Sequence, residues 1–528
     1  VATSDSNTSD ERTEKAKLDQ SNQVNDTNKK NGSLSDGKQP SWADRYLSFI
    51  WMGIAFAAMF TIMFLPPFEG VSVAGQRALA ILVFAVIMWM TEAVSYPISS
   101  VMILVLIALS IGFSPDPDSP GEILGTSGGL SAALSGFATS AVALVAAALA
   151  LAAAMQATGL HKRLAFHILR FSGEKVSNII IGAILIATVL AFFVPSATAR
   201  AGAVVPILLG MILAFGMPLN SKLGALLIIT AAQAISIWNV GIKTAAAQNL
   251  VADGFILEMF GESISWPRWF MIGAPWSILM SIVLYFVMRW TIKPETRVLP
   301  GGKEVVQEGL AKLGPISPKE IRLAVLAAVM LLLWSTEGIL HPLDSSTITV
   351  AGIALMLIPK IGVLDWEQLE SMVNWGTLVV FAIGISLGTL LLNSGAAEWL
   401  SAITFESMGL SNMPLLATIA IVSVFNIVIH LGFASATALS SALIPVFIVL
   451  AMSIPGLPDQ GVGFVIIQQF VICFGFILPI SAPQNMLAYG TGTFTVKQFI
   501  RVGIPLTVVG YLLVLLLSAT YWKWIGVL

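Results

Sequence analysis

Two short runs carry the residues best suited to chemistry: Pro195-Ser196-Ala197-Thr198-Ala199-Arg200, and further along Ala434-Ser435-Ala436-Thr437-Ala438. Each follows an apolar run too short to cross a bilayer, 179–194 and 419–433. Each leads into a second apolar run with a proline ten residues past the serine (196 to 206 and 435 to 445). Serine and threonine hydroxyls donate and accept hydrogen bonds without carrying fixed charge. A half-helix that starts at such a tip presents free amide hydrogens, which attract anions, whereas carbonyl ends attract cations. Two further interruptions, Ala246-Ala247-Gln248-Asn249 and Ala482-Pro483-Gln484-Asn485, recur 236 residues apart (249 to 485). Groups of this kind hold a small anion reversibly, one carboxylate to each tip. The expected anion ligands are Ser196, Thr198, Asn249, Ser435, Thr437, Asn485 and Arg200, with Ser196, Asn239, Ser435 and Ser481 as candidate cation ligands.

These tips need elements that can hold them at depth. With 56% apolar residues and 11% charged residues, against about 25% charged in a soluble domain, most of the 528 residues cannot face water. The mean hydropathy is +0.87. The net charge of −2 decides nothing, and the lone Cys473 excludes disulfides and thiolate metal clusters, so it reads as packing. Residues 1–46 are polar, mixed in charge and without apolar periodicity, and are expected to be a disordered cytoplasmic tail; they lack the apolar core of a signal peptide.

From Leu47 the apolar runs reach the length a bilayer requires. Spans are expected near 48–66, 76–93, 97–113 and 138–158, then a re-entrant hairpin at 178–216, a broken helix at 222–257 and a span at 270–291. A basic linker at 293–320 follows, then spans near 321–338, 347–363 and 375–394, a second hairpin at 412–452, a broken helix at 463–492 and a last helix at 500–522. The residues 47–292 and 321–528 thus form two repeats. Trp89-Met90-Thr91-Glu92 matches Trp334-Ser335-Thr336-Glu337, and Gly159 matches Gly395, at nearly the same offset as the tips and the breaks. Lys and Arg gather at 161–175, in the linker and at Lys497 and Arg501, while 114–136 and 396–412 carry acids only. That pattern puts the amino terminus inside, the carboxy terminus outside, and the second repeat upside down relative to the first. The expected fold is an all-α polytopic membrane protein of about eleven spans plus two re-entrant hairpins in two inverted-topology repeats. Such repeats place a binding site near the membrane midplane at their interface.

At these residues the chain resembles the divalent-anion/sodium symporters, which carry di- and tricarboxylates or sulfate. Members bear a Ser-Asn-Thr motif at each of two hairpin tips and a Thr-Pro-Pro-Asn-like motif at each of two broken helices. Here the tips read Ser196-Ala197-Thr198 and Ser435-Ala436-Thr437, and the breaks end in Gln248-Asn249 and Gln484-Asn485. The resemblance covers everything from about Leu47 onward. It implies a homodimer in the cytoplasmic membrane, with a scaffold and a transport domain that carries the anion elevator-fashion. It also implies Na⁺ as coupling ion and no further cofactor or metal. The departures are four alanines, Ala197, Ala436, Ala246 and Ala482, where the family has oxygen-bearing or amide side chains. A hard cation wants several oxygens, so sodium coordination is weakened here.

Arg200, four residues after Ser196, lies at membrane depth, where a charge is by default functional; it is expected to supply permanent positive charge near the anion, in place of a mobile sodium, with a snorkelling residue at the cytoplasmic base of the hairpin as the alternative. Lys243 just before the first break reads either way, His430 reads as packing, and Glu92 and Glu337 read as structural hydrogen-bond acceptors at helix ends. Lys162, Arg163 and Arg170 with Phe166 and Leu169 suggest an amphipathic helix at the inner surface. There is no phosphate loop, no metal-ligand spacing and no carboxylate pair within the spans, so the chain is expected not to be an enzyme. The leading reading is secondary transport of a small di- or tricarboxylate, as cation-coupled symport or sodium-independent anion exchange, with transport of an inorganic oxyanion such as sulfate second. The expected partners are the anion, membrane lipid and a second copy of the chain, with no nucleic acid.

Overall fold

The structure, a computed structural model, describes residues 42–528 apart from 117, 118, 120, 262, 299–301, 407, 408, 411, 412, 455, 456 and 458–460. The expected tail at 1–46 therefore lies outside the described residues except for 42–46, which are helical. The chain divides into 1–53 and 54–528. Of the first unit, the described part is the opening turns of α1 (Trp42–Phe64). The site lies wholly within the second unit.

Every regular element among the described residues is a helix, as apolar runs dictate where backbone groups cannot turn to water. After α1 come α2 (Val73–Thr91), α3 (Tyr96–Gly112), α4 (Gly125–Leu134), α5 (Ser140–Thr158) and the short amphipathic α6 (Leu160–Arg170). The first hairpin is α7 (Val176–Phe193) with α8 (Ala197–Ala214); the broken helix is α9 (Lys222–Gly241), a 3-10 turn at Lys243–Ala245, and α10 (Ala247–Phe260). Then follow α11 (Trp266–Thr291), α12 (Gly302–Lys312), α13 (Pro318–Ser335), α14 (Ser345–Leu357), α15 (Trp366–Met372), α16 (Trp375–Asn393) and α17 (Ala396–Ser401). The second hairpin is α18 (Leu415–His430) with α19 (Ala436–Ser453), the second broken helix α20 (Val462–Ile472), a 3-10 turn at Pro479–Ser481 and α21 (Pro483–Tyr489), and the chain closes with α22 (Val496–Ala519) and α23 (Tyr521–Trp524). Ten described helices are long and apolar enough to cross a membrane, three of them hairpin arms. Several helices at expected spans fall short of that length, among them α14 and the halves of the second broken helix.

Two stretches differ from the sequence expectation. The 114–136 segment, read as an acidic outer loop, contains α4, which turns back along α3. The approach is so close that a Cβ on Gly129 would sit 2.2 Å from the Ala108 carbonyl oxygen, so its Gly-rich composition marks helix contact and not loop. The 293–320 linker contains α12, which packs on α6. Arg163 on α6 ties the linker down, its Nε 2.7 Å from Glu320 Oε1 and its Nη1 donating to the Gly314 carbonyl. Burial alone would raise the Glu320 carboxyl, but hydrogen bonds from Arg163 and Ser317 outweigh it and hold it below the ordinary carboxylate value.

At the centre runs α9, buried along its whole length and packed against α7, α8, α11 and α21. It thereby holds the first hairpin and the second half of the second broken helix together. Glu337 accepts from the Trp266 and Ser345 amides at 2.8 and 3.0 Å, the backbone bond expected of it, whereas Glu92 accepts from the Tyr96 hydroxyl at 2.8 Å, a side chain and not backbone.

Candidate functional site

The two tips are built alike. Ser196 is extended (φ −149°) and its Oγ accepts from the Ala199 amide at 3.2 Å, which starts α8; Ser435 (φ −130°) accepts from Ala438 at 3.2 Å and starts α19. Each serine is thus an N-cap whose side chain satisfies one orphan amide and leaves the others of that first turn open.

The breaks match as closely. Ala246 (φ −147°, ψ 139°) and Ala482 (φ −157°, ψ 141°) lead into α10 and α21. Asn249 donates to the Asn239 carbonyl at 2.7 Å, and Asn485 donates to the Gly475 carbonyl at 2.7 Å. Each asparagine therefore staples the two halves of its broken helix, covering a carbonyl that the break would otherwise leave unpaired. Glutamines cross between the two halves of the chain: Gln233 donates to the Phe476 carbonyl at 2.9 Å, Gln469 to Asn249 Oδ1 at 3.3 Å, and Gln484 to Ser236 Oγ at 3.0 Å.

Both tips and both breaks line one cavity of about 850 Å³. On its wall lie Ser196, Thr198, Ser435, Thr437, Asn239 and Ser481, so six of the expected ligands converge although they come from segments more than two hundred residues apart. Arg200, Asn249 and Asn485 do not line it. The two asparagines are turned into the backbone of the breaks. Arg200 is fully buried behind the first tip, its Nη2 donating to Asn239 Oδ1 and to the Ala245 carbonyl at 2.9 Å. Of the candidate cation ligands, Asn239 has its side-chain oxygen occupied by Arg200, and the Ser481 carbonyl faces His430 Nε2 at 3.2 Å.

Several lining residues went unread as ligands in the sequence. Gln248 and Gln484 occupy matching places just inside the half-helices, and His430 and Cys473 are on the wall, not in remote packing. The rest of the lining comes from the start of α3 (Tyr96, Pro97), the end of α5 with Lys162 beyond it, and the start of α16 (Asn374, Thr377). Lys162, Gln156 and Asn374 are exposed, as are Thr198, Gly202, Met372 and Pro483 on the same lining. Lysine 243, ambiguous in the sequence, is buried against Asp253 Oδ2 at 2.8 Å and donates to the Ile264 carbonyl at 2.5 Å, away from the cavity. The described lining contains no carboxylate, while Lys162 and two histidines are on it. Such a wall of hydroxyls, amides and helix amino termini suits an anion and offers no nucleophile poised beside a base.

This arrangement, two polar tips and two broken helices around one cavity in an apolar helical chain, is that of a multi-pass membrane transporter. The chain belongs to the sodium:sulfate symporter family, whose transmembrane-region model matches residues 48–528. A protein of Cupriavidus necator described as a membrane protein is 50% identical over 472 residues, 89% of this chain and 92% of that one. The sodium-dependent dicarboxylate transporters SdcS of Staphylococcus saprophyticus and Staphylococcus aureus are 25% and 24% identical, covering 86% and 92% of this chain and 88% and 92% of theirs. Among solved structures, the YdaH transporter of Alcanivorax borkumensis aligns with a TM-score of 0.46 at 17% identity, over 81% of this chain and 97% of that one.

Proposed function

We propose that the protein moves small di- or tricarboxylates across the cytoplasmic membrane by secondary active transport. The observation that carries this reading is the convergence of Ser196, Thr198, Ser435 and Thr437 on one cavity whose described lining has no carboxylate. Two amide-rich helix starts facing each other match an anion with a negative group at each end. The relatives described as sodium-dependent dicarboxylate transporters support the substrate class and Na⁺ as coupling ion.

The cavity wall divides into a tip-and-break side and a side from α3, α5 and α16, as an elevator requires: the first side, residues 178–257 and 412–492, travels, and the rest of 47–292 and 321–528 stays as scaffold and dimer contact. Of the exposed lining residues, Lys162 and Asn374 fall on the face the charge pattern assigns to the cytoplasm, which supports a state open inward; the same pattern puts the amino terminus inside. Sodium-independent anion exchange is the second reading, favoured by the buried Arg200 at the first break. Sulfate, named in the family's description, is the competing anion.

Purified protein in proteoliposomes tests the substrate: uptake of radiolabelled succinate into vesicles preloaded with succinate or empty, with and without a sodium gradient, and with sulfate as competitor. Uptake by empty vesicles under a sodium gradient supports symport, and uptake only by preloaded vesicles supports exchange. Failure of both, with sulfate uptake present, would reject the dicarboxylate.

A further inference from the structure

We propose that Arg200 is a tethered cation that permanently fills the first break, so that this half of the protein binds no free coupling ion and any such ion is confined to the second break. The inference deepens the transport reading and rests on it.

The first break leaves oxygens at the carboxyl end of α9, where the helix dipole favours positive charge. Two of them, Asn239 Oδ1 and the Ala245 carbonyl, are taken by one guanidinium nitrogen of Arg200. No carboxylate pairs with Arg200 among the described residues, although it is 0% exposed. A buried, unneutralised cation is retained only where fixed dipoles or an anion compensate it. Its Nε and Nη1 have no partner, so its hydrogen-bonding capacity is only partly used by the protein itself. Thr198 and Ala199, directly before it in the chain, and Asn239, which it bonds, all line the cavity, so its charge lies behind the wall that would hold the anion.

The second break is the control that the protein supplies. Four residues after Ser435 stands Leu439, so no arginine reaches the equivalent position. Ser481, which corresponds to Ala245 at the offset of 236 residues, offers its carbonyl to His430. Asn249 Oδ1 in the first break accepts from Gln469, whereas Asn485 Oδ1 in the second is buried without a partner. The asparagine side-chain oxygens of the first break, Asn239 Oδ1 and Asn249 Oδ1, are thus both bonded, and the second keeps one unpaired in Asn485. The same replacements stand in both halves, Ala197 and Ala246 in the first and Ala436 and Ala482 in the second, so they lower the oxygen supply of both breaks alike, and what sets the first apart is Arg200 itself.

The test uses full-length protein carrying Arg200→Ala or Arg200→Gln, checked for folding by size-exclusion profile. Unfolding temperature is followed in sodium chloride against choline chloride at constant ionic strength. R200A is expected to gain a sodium-dependent stabilisation of about 2 °C or more beyond that of wild type. Guanidinium ion at low millimolar concentration, the side chain's head group as a free cation, is expected to compete with sodium in R200A and to leave wild type unchanged. In proteoliposomes, the Hill coefficient for sodium in succinate uptake is expected to rise by about one in R200A. A folded R200A whose sodium response equals that of wild type overturns the proposal. So does a wild-type Hill coefficient above one, which needs no variant and decides the matter if R200A does not fold. A wild type that carries no succinate rejects the transport reading instead, and the thermal comparison still reports on Arg200.

Discussion

The two broken helices of this protein have backbones that agree to about 10° at the entering alanine, and both are stapled by an asparagine at 2.7 Å, yet their surroundings differ in charge and in saturation. Around the first lie Arg200, the buried pair of Lys243 with Asp253, and an asparagine paired at both ends of its amide. Around the second lie a histidine, no ion pair at the matching positions Pro479 and Tyr489, and an asparagine oxygen without a partner. The backbone break thus needs only an extended residue before a half-helix and an amide to cover the carbonyls. What the break can bind is decided by side chains that arrive from elsewhere.

The largest effect that tests this asymmetry comes from Asp253. Asp253→Ala strands the Lys243 ammonium, which is 1% exposed, and is expected to cost about 3–5 kcal/mol in unfolding. The same change at its counterpart, Tyr489→Ala, is expected to cost about 1 kcal/mol or less. Equal losses would show that the pair does not distinguish the halves. Replacing both members by apolar residues (Lys243→Met with Asp253→Leu) should recover much of the D253A loss, because desolvation of the charges then disappears.

The asparagines give the next effect. Asn249→Ala removes a donor shared among the carbonyls of Asn239, Ile242 and Lys243 and an acceptor used by Gln469, whereas Asn485→Ala removes one donor. N249A is expected to lose about 1–3 kcal/mol, with N485A at the lower end, measured as midpoint shifts in chemical unfolding. A larger loss in N485A would reverse the comparison.

The tips should behave alike. Ser196→Ala and Ser435→Ala each remove an N-cap, and each is expected to cost about 1 kcal/mol and to raise the apparent KM for succinate, by the same factor in both. An effect confined to one tip would mean that the anion sits against that half alone.

The smallest effect lies outside both breaks and serves as a reference. The Glu320 carboxyl is held below its ordinary value by Arg163 and Ser317, so its contribution is present above the unfolded-state value and is lost as pH falls through the lower folded-state value. Glu320→Gln should therefore be less stable than wild type at neutral pH and converge with it under acid conditions, by no more than about 1 kcal/mol. No convergence would mean that the Arg163 contact contributes nothing.

Much of this was legible before any coordinates. The tips, the breaks and the helix runs stand out because a lipid-facing chain must alternate long apolar stretches with polar exceptions, and Ser196 and Ser435 sit at the exceptions. The helix α4 was not legible, since Gly125, Gly128 and Gly129 read as loop until α3 is seen beside them. Nor was the direction of the asparagines: they mark the breaks correctly but point into backbone, and the glutamine one position earlier faces the cavity. One step along a half-helix turns a side chain by about 100°, enough to put Gln248 on the wall and turn Asn249 into the backbone of the break.

The residue order by itself determined where the chain is apolar, where it is interrupted, and that the interruptions come in two matching sets, because those are local properties of composition and spacing. Which polar group meets the cavity, and that Arg200 ends on oxygens of Asn239 and Ala245 some forty residues away, was settled only when α8 packed against α9. Side-chain partners across helices depend on the phase and depth of packing, and no spacing along one helix encodes that.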